Sequence, residues 1–511
     1  MNNNSTNNKT IAKNASMLYL RMFVSMAISF FTSRVVLQAL GVSDYGIYTL
    51  VGGIVVLINM LNGALTSSTT RFLTFNLGKG DLLLLKRTFS TAFIIHLTFA
   101  FIFLIIAETI GLWFINTHLN IDADRMVAAN WVYQSAIIST FIGITQVPYN
   151  ALITSHERFG VFAYIDILNS ILKLVIAIIV LHSTFDKLIF YSILYGIVAI
   201  TIMMVYRIYC IKNFDESNLL FVKDKALIRS MLSFSGWNLF GSLSLTISQQ
   251  FFGVIFNWFF GTLINAALGV SNQVQSIMYS FIGNISAAFK PQIIKEYANK
   301  NFGRVEYLVN MGAKYSGILI STTSIPVICK MDYLMSLWLT EIPQGAVHIC
   351  QIALIHNVLN CFNPFIYAIV NASGKVDKVN IISGCFYLLV LPIVYIVLKL
   401  THSYIISYTI SLYVPISTML LYICIAKKVM PQFHISSLMK HSIGPIFIML
   451  FIGILLAFQI DQLFNNSLIS LLVICLFSIV YVSSLSLLIV LNKSERNIIF
   501  RSIKNMMCLK R

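Results

Sequence analysis

The sequence predicts an all-α polytopic membrane protein with about 14 transmembrane helices, arranged as two parallel six-helix bundles plus two C-terminal helices. Hydrophobic residues make up 58% of the 511 residues and charged residues only 10%, whereas a soluble chain carries roughly 25% charged residues. Apolar stretches of about 18 residues or more, long enough to cross a bilayer, recur along the chain. We expect helices because a backbone in lipid must satisfy its own hydrogen bonds.

The first bundle is predicted over residues 1–212. The chain opens with the polar stretch MNNNSTNNKTIAKN, and the apolar segment after it runs to about Leu37. This segment is too long for the apolar core of a signal peptide, and no small-residue cleavage site follows it, so we expect a retained first span. The six spans are expected near residues 14–37, 46–69, 88–115, 128–153, 160–182 and 187–210.

The second bundle is predicted over residues 213–430, and residues 431–511 should add two more spans and a basic cytoplasmic tail. The spans of the second bundle are expected near 231–259, 265–289, 305–329, 347–371, 380–398 and 404–425, and the last two near 443–460 and 467–491. Polar loops that carry Lys and Arg separate these segments.

A repeated pentapeptide indicates that one half of the chain duplicates the other. ALGVS occurs at Ala39–Ser43 and again at Ala267–Ser271, each time between apolar segments. Two further pairs of similar segments follow in the same order, RFLTFNLGKGD with QIIKEYANKNFGR and VPYNALITSHERF with NPFIYAIVNASGK. An even number of spans separates the copies, so both halves would insert with the same orientation. Parallel repeats of this kind are a transporter architecture with the site at the repeat interface.

The net charge of +17 is explained by membrane topology rather than by nucleic-acid binding. With the N-terminus inside, most Lys and Arg fall in inner loops, as the positive-inside rule requires. The outer ends hold only Arg34, Arg125, Lys187, Lys330 and Lys399. Both termini are therefore predicted to be cytoplasmic.

Several spans carry polar residues along one helical face. Stripes that contain amide side chains occur in matching spans of the two halves, and those of the second half are Asn238, Ser242, Thr246, Gln249 and Asn257 in the seventh span and Asn272, Ser276, Tyr279, Gly283 and Asn284 in the eighth. Any single stripe is explained by ordinary helix packing in lipid. Matching amide stripes in both halves instead favour a hydrated central cavity.

Ionisable residues inside spans are the strongest candidates for function, because each costs several kcal/mol at the bilayer centre unless it is paired or hydrated. Asp166 and Lys173 fall on one face of the fifth span, together with Ser170. For Arg34, at the outer end of the first span, and Lys314, early in the ninth, snorkelling to an interface is an equally good explanation. Glu108 in the third span could simply pair with Arg34.

The sequence contains no signature of an enzyme. No GxSxG, HExxH or Walker loop occurs, and no GxGxxG lies between a strand and a helix. The eight cysteines are scattered singly, without a CxxC pair or a His/Cys cluster, so neither a disulfide framework nor a metal site is indicated. We expect no cofactor.

Three segments resemble the O-antigen (Wzx-type) flippases of the multidrug/oligosaccharidyl-lipid/polysaccharide exporter superfamily, which is MATE-like. The segments are TSRVVLQALGVSDYGIYTLVGGIVVLINMLNGALTSSTTRFLTFNLGKGD, AETIGLWFIN and QVPYNALITSHERFGVFAYIDI. The likeness is strongest over residues 14–180 and continues more weakly to about 425. That superfamily has no short catalytic motif, so the resemblance indicates a family rather than a site.

The resemblance implies export of lipid-linked (undecaprenyl-diphosphate) oligosaccharide units across the bacterial inner membrane for O-antigen or other surface polysaccharide, by alternating access through a cationic central cavity. The cations that would meet the diphosphate are Arg21, Arg34, Lys173 and Lys314, and Asp166 or Glu108 would couple transport to H+ or Na+. Arg can grip a diphosphate with two hydrogen bonds. Membrane lipids and glycan polymerases are the other expected partners.

Two other functions remain open at this stage. A multidrug or organic-cation antiporter on the same fold would need an anionic or aromatic cavity, whereas the charges within spans here are mainly cationic. A membrane-embedded glycan polymerase or ligase would need a sizeable outer loop, and no predicted outer loop exceeds about twenty residues.

Overall fold

We describe a computed structural model of the chain that covers residues 2–118, 121–220, 224–338, 342–464, 468–492 and 495–497. Within α1 and α7 the side chains of some residues, including 49–62 and 261–263, lie outside this description. Every regular element of the described residues is helical. The predicted all-helical fold class is therefore confirmed.

Ten helices within the described residues are long and apolar enough to cross a membrane, or twelve if each of two bent helix pairs counts as one span. The bent pairs are Phe302–Cys329 with Met331–Trp338, at 78°, and Ala346–Asn360 with Asn363–Ser373, at 42°. The chain is thus a multi-pass membrane protein. The second and eighth of the fourteen predicted spans, near 46–69 and 265–289, are not in this count and stay predictions.

The chain forms two compact units, Met1–Ser242 and Leu243–Arg511. The two units divide within a helix, and the predicted bundle boundary at 212/213 stays a prediction. The start of that helix belongs to the first unit because Met231 packs with Leu65, Ala92 and Ile95. The hydroxyl of Ser68 also donates to the backbone oxygen of Met231 at 3.1 Å.

The first unit contains helices α1 to α6 and the beginning of α7. Their bounds are α1 Asn2–Lys79, α2 Leu82–Ile106, α3 Leu112–His118, α4 Met126–Ser155, α5 Phe159–Leu181, α6 Lys187–Asn213 and α7 Lys225–Ala298. A π-helical turn, Ala107–Gly111, joins α2 to α3. The hydroxyl of the buried Tyr133 donates to the backbone oxygen of Ala107 in this turn at 2.8 Å. A Cβ at Gly111 would lie 2.0 Å from that hydroxyl, so glycine is required there.

Helix α1 contains two predicted spans that meet at a backbone break. Gly41 has φ 77° and ψ 170°, a non-helical conformation that is essentially restricted to glycine. Nothing lies within 4 Å of the position that a Cβ would occupy, so the requirement comes from the backbone alone. Gly41 lies in the first ALGVS copy and separates the two helical parts of α1.

The second unit contains the rest of α7 and ten further helices. Their bounds are α8 Phe302–Cys329, α9 Met331–Trp338, α10 Ala346–Asn360, α11 Asn363–Ser373, α12 Asp377–Thr401, α13 Tyr404–Thr409, α14 Tyr413–Val429, α15 Ile435–Leu438, α16 Gly444–Gln462 and α17 Leu468–Leu485. A buried core that includes Phe256, Met335, Leu354 and Val394 lies between them.

The last two long helices, α16 and α17, pack directly on α8. Gly317 of α8 and Gly453 of α16 leave room for large neighbours, because a Cβ at either position would meet a side chain at 2.2 Å and 2.7 Å, respectively. Small residues allow helix axes to approach closely in lipid. The hydroxyl of Ser478 in α17 donates to the backbone oxygen of Thr322 at 2.8 Å. Helices α16 and α17 therefore belong to the second compact unit.

Candidate substrate-binding sites

Two of the predicted ionisable residues meet in the first unit. A guanidinium nitrogen of Arg21 lies 3.7 Å from Oδ2 of Asp166. The hydroxyl of Ser25, one turn after Arg21 on α1, donates to the same oxygen at 3.3 Å. The guanidinium carbon of Arg21 also lies 5.0 Å from the centre of the Phe162 ring. The candidate coupling carboxylate and one candidate phosphate ligand therefore form a single half-buried pair.

Lys173 lies on the same helix as Asp166 but has a different partner. Its ammonium group donates to the hydroxyl of Tyr195 at 3.1 Å and lies 4.7 Å from the centre of that ring. In the described part of the chain, no carboxylate forms an ion pair with Lys173. Lys173 is half-buried and keeps an unneutralised positive charge within a predicted span.

The two candidates nearest the outer end of the first bundle do not pair with each other in the described structure. Arg34 is exposed. Glu108 lies in the π-helical turn after α2, and its carboxylate accepts a hydrogen bond from the side-chain amide of Gln134 at 3.1 Å. Glu108 is therefore held by α4 rather than by Arg34.

Lys314 lies in a different environment from the other candidates. It is 2% exposed, and its ammonium group lies 3.1 Å from Oε2 of Glu495. Glu495 is 4% exposed and also accepts a hydrogen bond from the backbone nitrogen of Asn492 at 2.8 Å. In this conformation the charge of Lys314 is satisfied by the segment that follows α17.

Two charge clusters lie outside the spans of the first unit, at opposite ends of α6. Arg125 donates to Asp186 at 2.6 Å and to Asp44 at 2.9 Å. Partial burial raises the pKa of Asp186, but the Arg125 hydrogen bond and charge outweigh it, so the pKa lies below its usual range. At the other end Glu216 pairs with His156. Burial likewise raises the pKa of Glu216, and the His156 hydrogen bond brings it below the usual value.

The second unit contains a cavity of about 500 Å³ between α7, α10, α11, α12, α13 and α14, which we call the C-terminal cleft. Six amide side chains line it: Gln249, Asn272, Gln275, Asn357, Asn360 and Asn363. Five tyrosines line it as well: Tyr279, Tyr367, Tyr387, Tyr408 and Tyr422. Among the described residues of its wall, Lys290 is the one lysine or arginine, and there is no Asp or Glu.

Hydrogen bonds between the helices hold the polar wall of the cleft in place. The side-chain amide of Gln275 on α7 lies 3.0 Å from Nδ1 of His356 on α10. The amide of Asn357 donates to the backbone oxygen of Gln275 at 2.9 Å. The hydroxyls of Ser271 and Tyr408 lie 3.3 Å apart. The wall is thus organised before any ligand arrives.

Comparisons with known proteins agree with this architecture. Residues 238–396 match the MatE family model. A crystal structure of MATE in complex with MaD3S covers 83% of this chain and 97% of its own, with a TM-score of 0.71 and 14% identity. An outward-facing multidrug resistance MATE family transporter of the MOP superfamily covers 84% and 96%, with a TM-score of 0.68 and 13% identity. The chain has the MATE transporter fold.

A third similar structure is that of a MOP superfamily transporter from Pyrococcus furiosus. It covers 84% of this chain and 97% of its own, with a TM-score of 0.67 and 13% identity. No curated protein shows significant sequence similarity to the chain. The sequence resemblance is strongest in residues 14–180, whereas the MatE match covers residues 238–396.

The sequence stripes pointed to part of the wall of this MATE-fold cleft. Gln249, Asn272, Ser276 and Tyr279, all singled out in the seventh and eighth spans, line it. Sequence reasoning missed the amides of α10 and α11, although the segment HNVLNCFNPF places Asn357, Asn360 and Asn363 at steps of three. It did not single out Lys290 either. The repeated amide within an apolar segment was the available signal.

Proposed function

We propose that this protein moves lipid-linked oligosaccharides, carried on undecaprenyl diphosphate, across the bacterial cytoplasmic membrane for O-antigen or another surface polysaccharide. The observation that carries the proposal is Lys173, a cation within a span whose hydrogen-bond partner is a neutral tyrosine hydroxyl. A charge in that setting is costly unless a partner or water compensates it. A diphosphate head group would supply the missing opposite charge.

Arg21 and Arg34 are proposed as further phosphate contacts. Lys314 is proposed as another, although its ion pair with Glu495 would have to break first. A guanidinium can hold two phosphate oxygens at once. Arg21 already lies against Asp166, so a diphosphate would compete with that carboxylate for the same side chain. Such competition offers a physical route by which substrate binding and protonation of Asp166 would favour each other.

Ion coupling is assigned to Asp166 or Glu108, with H+ or Na+ as the ion. Both carboxylates lie in predicted spans and have polar partners, Ser25 for Asp166 and Gln134 for Glu108. A carboxylate within a membrane span is a common proton relay. A glycan polymerase is the expected protein partner, because it would consume the exported unit.

A multidrug or organic-cation antiporter is the second candidate, and one observation favours it. Five tyrosines line the C-terminal cleft, and aromatic faces attract organic cations. The absence of carboxylates among the described residues of its wall favours the first candidate. For the transporter from Pyrococcus furiosus, reverse polarity of the binding pocket is said to suggest a different function, and pocket polarity is the property that separates the two candidates here.

Replacing Lys173 by Gln tests the proposal. The strain lacks the chromosomal copy, carries the variant at matched expression, and its surface glycan is quantified. We expect Lys173→Gln to lower surface glycan about tenfold or more, since one charge-assisted hydrogen bond is lost, and Lys173→Arg to retain most of it.

The matched control is Lys399→Gln, which removes an exposed lysine near the end of α12 and should leave glycan unchanged. Ethidium efflux is measured in the same strains. Normal glycan in Lys173→Gln cells would refute the proposal. Loss of ethidium efflux together with normal glycan would establish the antiporter instead.

A further inference from the structure

The C-terminal cleft is elongated along one face of α7. The earlier part of α7 lines it with Leu245, Ser248, Gln249, Phe252 and Gly253. In the later part, residues 268–290, the lining residues other than Ser276 recur at steps of three, four or seven, as a single helical face requires: Leu268, Asn272, Gln275, Tyr279, Ser286 and Lys290. At a rise of 1.5 Å per residue this stretch is on the order of 30 Å long, about the thickness of the hydrocarbon core of a bilayer. A ligand that fills the cleft is therefore extended rather than compact.

The chemistry of the wall suits a ligand with many hydroxyl groups. A side-chain amide offers two donors and an acceptor, and a sugar hydroxyl is both donor and acceptor, so the two groups match in either direction. Tyrosine rings combine an apolar face with a polar hydroxyl. Amides and tyrosines line the same cleft, and this combination suits the polar edges and apolar faces of sugar rings.

Asn363 leaves one hydrogen-bond acceptor in the cleft wall unsatisfied. Its amide nitrogen carries two hydrogens and lies within hydrogen-bond distance of three acceptors. These are the side-chain oxygen of Asn360 at 2.9 Å, and the backbone oxygen of Pro415 and the hydroxyl of Thr418, both at 3.1 Å. These acceptors fix the orientation of the amide. Its Oδ1 is buried and accepts no hydrogen bond in the described structure. A buried acceptor without a donor is costly, and a hydroxyl donor from the cleft would relieve that cost.

Lys290 is the one lysine or arginine of the described wall, and it lies at one end of the cleft. It is half-buried, and the described wall holds no carboxylate to neutralise it. An anionic group on the ligand would do so, through a charge-assisted hydrogen bond. Both a diphosphate and the carboxylate of an acidic sugar have this chemistry.

We infer that the C-terminal cleft binds an extended oligosaccharide along α7, with an anionic group of the same ligand, a sugar carboxylate or the diphosphate, at Lys290. This inference rests on the proposed function, because it names the part of the exported molecule that occupies the second unit. In this arrangement the sugar hydroxyls form hydrogen bonds with the side-chain amides of Asn272, Gln275, Asn360 and Asn363.

Saturation-transfer NMR on the purified full-length protein in detergent tests the inference with water-soluble probes. The probes are a neutral tetrasaccharide, a tetrasaccharide that contains one uronic acid, and a sugar diphosphate without lipid. We expect all three to bind, and the two anionic probes to bind more tightly. Lys290→Gln should weaken the binding of the two anionic probes about tenfold and leave the binding of the neutral probe unchanged. Lys290→Arg should preserve the binding of all three.

Asn272→Leu should weaken the binding of all three probes, because an apolar side chain of similar size cannot form the hydrogen bonds of the amide. Asn272 is exposed. The matched control is Lys300→Gln. Lys300 is an exposed cation just beyond α7, and its replacement should leave the binding of all three probes unchanged. Stronger binding of the uronic acid probe identifies an acidic sugar at Lys290, and stronger binding of the diphosphate identifies the lipid carrier.

Two results would overturn the inference: no saturation transfer to any sugar probe, or displacement of the probes only by an organic cation such as tetraphenylphosphonium. The assay does not require translocation. Sugar binding without flipping in reconstituted vesicles would refute the proposed function and leave the inference standing. Flipping without any sugar binding at the cleft would refute the inference and leave the proposed function standing.

Discussion

Lys314 and Glu495 form an ion pair that depends on both partners. They are 2% and 4% exposed, so neither side chain can exchange its partner for water. Removing one partner of a buried pair leaves an unpaired charge, whereas replacing both by apolar side chains removes the cost altogether. The pair therefore has a large coupling energy even if its net contribution to stability is small.

We predict that Lys314→Met and Glu495→Leu each destabilise the protein by about 3 kcal/mol, because each leaves a buried charge. The double variant Lys314→Met/Glu495→Leu should recover most of the loss. Thermal unfolding followed by size-exclusion chromatography in detergent measures all three. Additive losses in the double variant would contradict this account.

The same double variant tests the other role that we propose for Lys314. If Lys314 contacts the diphosphate during transport, the double variant should fold well and still fail to restore surface glycan. Wild-type glycan from this stable variant would remove Lys314 from the phosphate contacts. A single substitution cannot make this distinction, because loss of folding and loss of transport would coincide.

Sequence reasoning identified Lys314 as an unusual charge but could not identify its partner. Glu495 lies 181 positions further along the chain, and no periodicity connects a residue in α8 with one beyond α17. By contrast, the face shared by Asp166 and Ser170 follows from helix geometry alone, and the hydroxyl of Ser170 bonds the backbone oxygen of Asp166 at 3.0 Å.

At the scale of helices, the two ALGVS copies show that identical local sequence adopts different backbone conformations here. In the first copy Gly41 has φ 77° and interrupts α1. In the second copy Gly269 lies within the helical range of α7 and is absent from the described glycines with positive φ. Glycine permits both conformations, so the surrounding chain decides between them.

We predict that Gly41→Ala destabilises the protein by roughly 1–3 kcal/mol, because an L side chain is strained at this backbone conformation. The matched control is Gly63→Ala in the same helix, where no atom lies within 4 Å of the added Cβ. There alanine should stabilise by about 1 kcal/mol through helix propensity. Thermal unfolding in detergent compares the two variants, and equal shifts in both would show that the break does not constrain residue 41.

The bent helix pairs also show what the sequence leaves open. Pro326 and Pro364 lie near the two bends, in α8 and at the start of α11. Pro148 and Pro392, however, lie inside the continuous helices α4 and α12. Proline removes one backbone donor, and packing against neighbouring helices determines whether a bend results.

At the scale of the whole molecule, the charge clusters at the two ends of α6 should make the stability of the first unit depend on pH. The pKa values of Asp186 and Glu216 lie below their usual values. A carboxylate with a lowered folded-state pKa stabilises the fold above its unfolded pKa, and this stabilisation is lost as the pH falls through the folded value.

We therefore predict that the melting temperature falls as the pH drops below the usual carboxylate range near 4. Asp186→Asn and Glu216→Gln should each lower the melting temperature at pH 7 and flatten its decrease below pH 4. The measurement is thermal unfolding at pH 7, 5 and 3. If the melting temperature of the double variant Asp186→Asn/Glu216→Gln fell as steeply with acid as that of the wild type, other groups would be responsible for the acid sensitivity.

The sequence by itself determined the fold class, because composition and the recurrence of long apolar segments leave helices as the economical way to satisfy a backbone in lipid. It also located the polar faces of α5 and α7, because helical spacing is a local property. The tertiary structure alone decided the partners of those faces. Lys314 with Glu495, Lys173 with Tyr195, and the joining of the α7 stripe to the amides of α10 and α11 all depend on which distant helices pack together. That choice is made by the summed packing of many side chains, and no short stretch of sequence contains it.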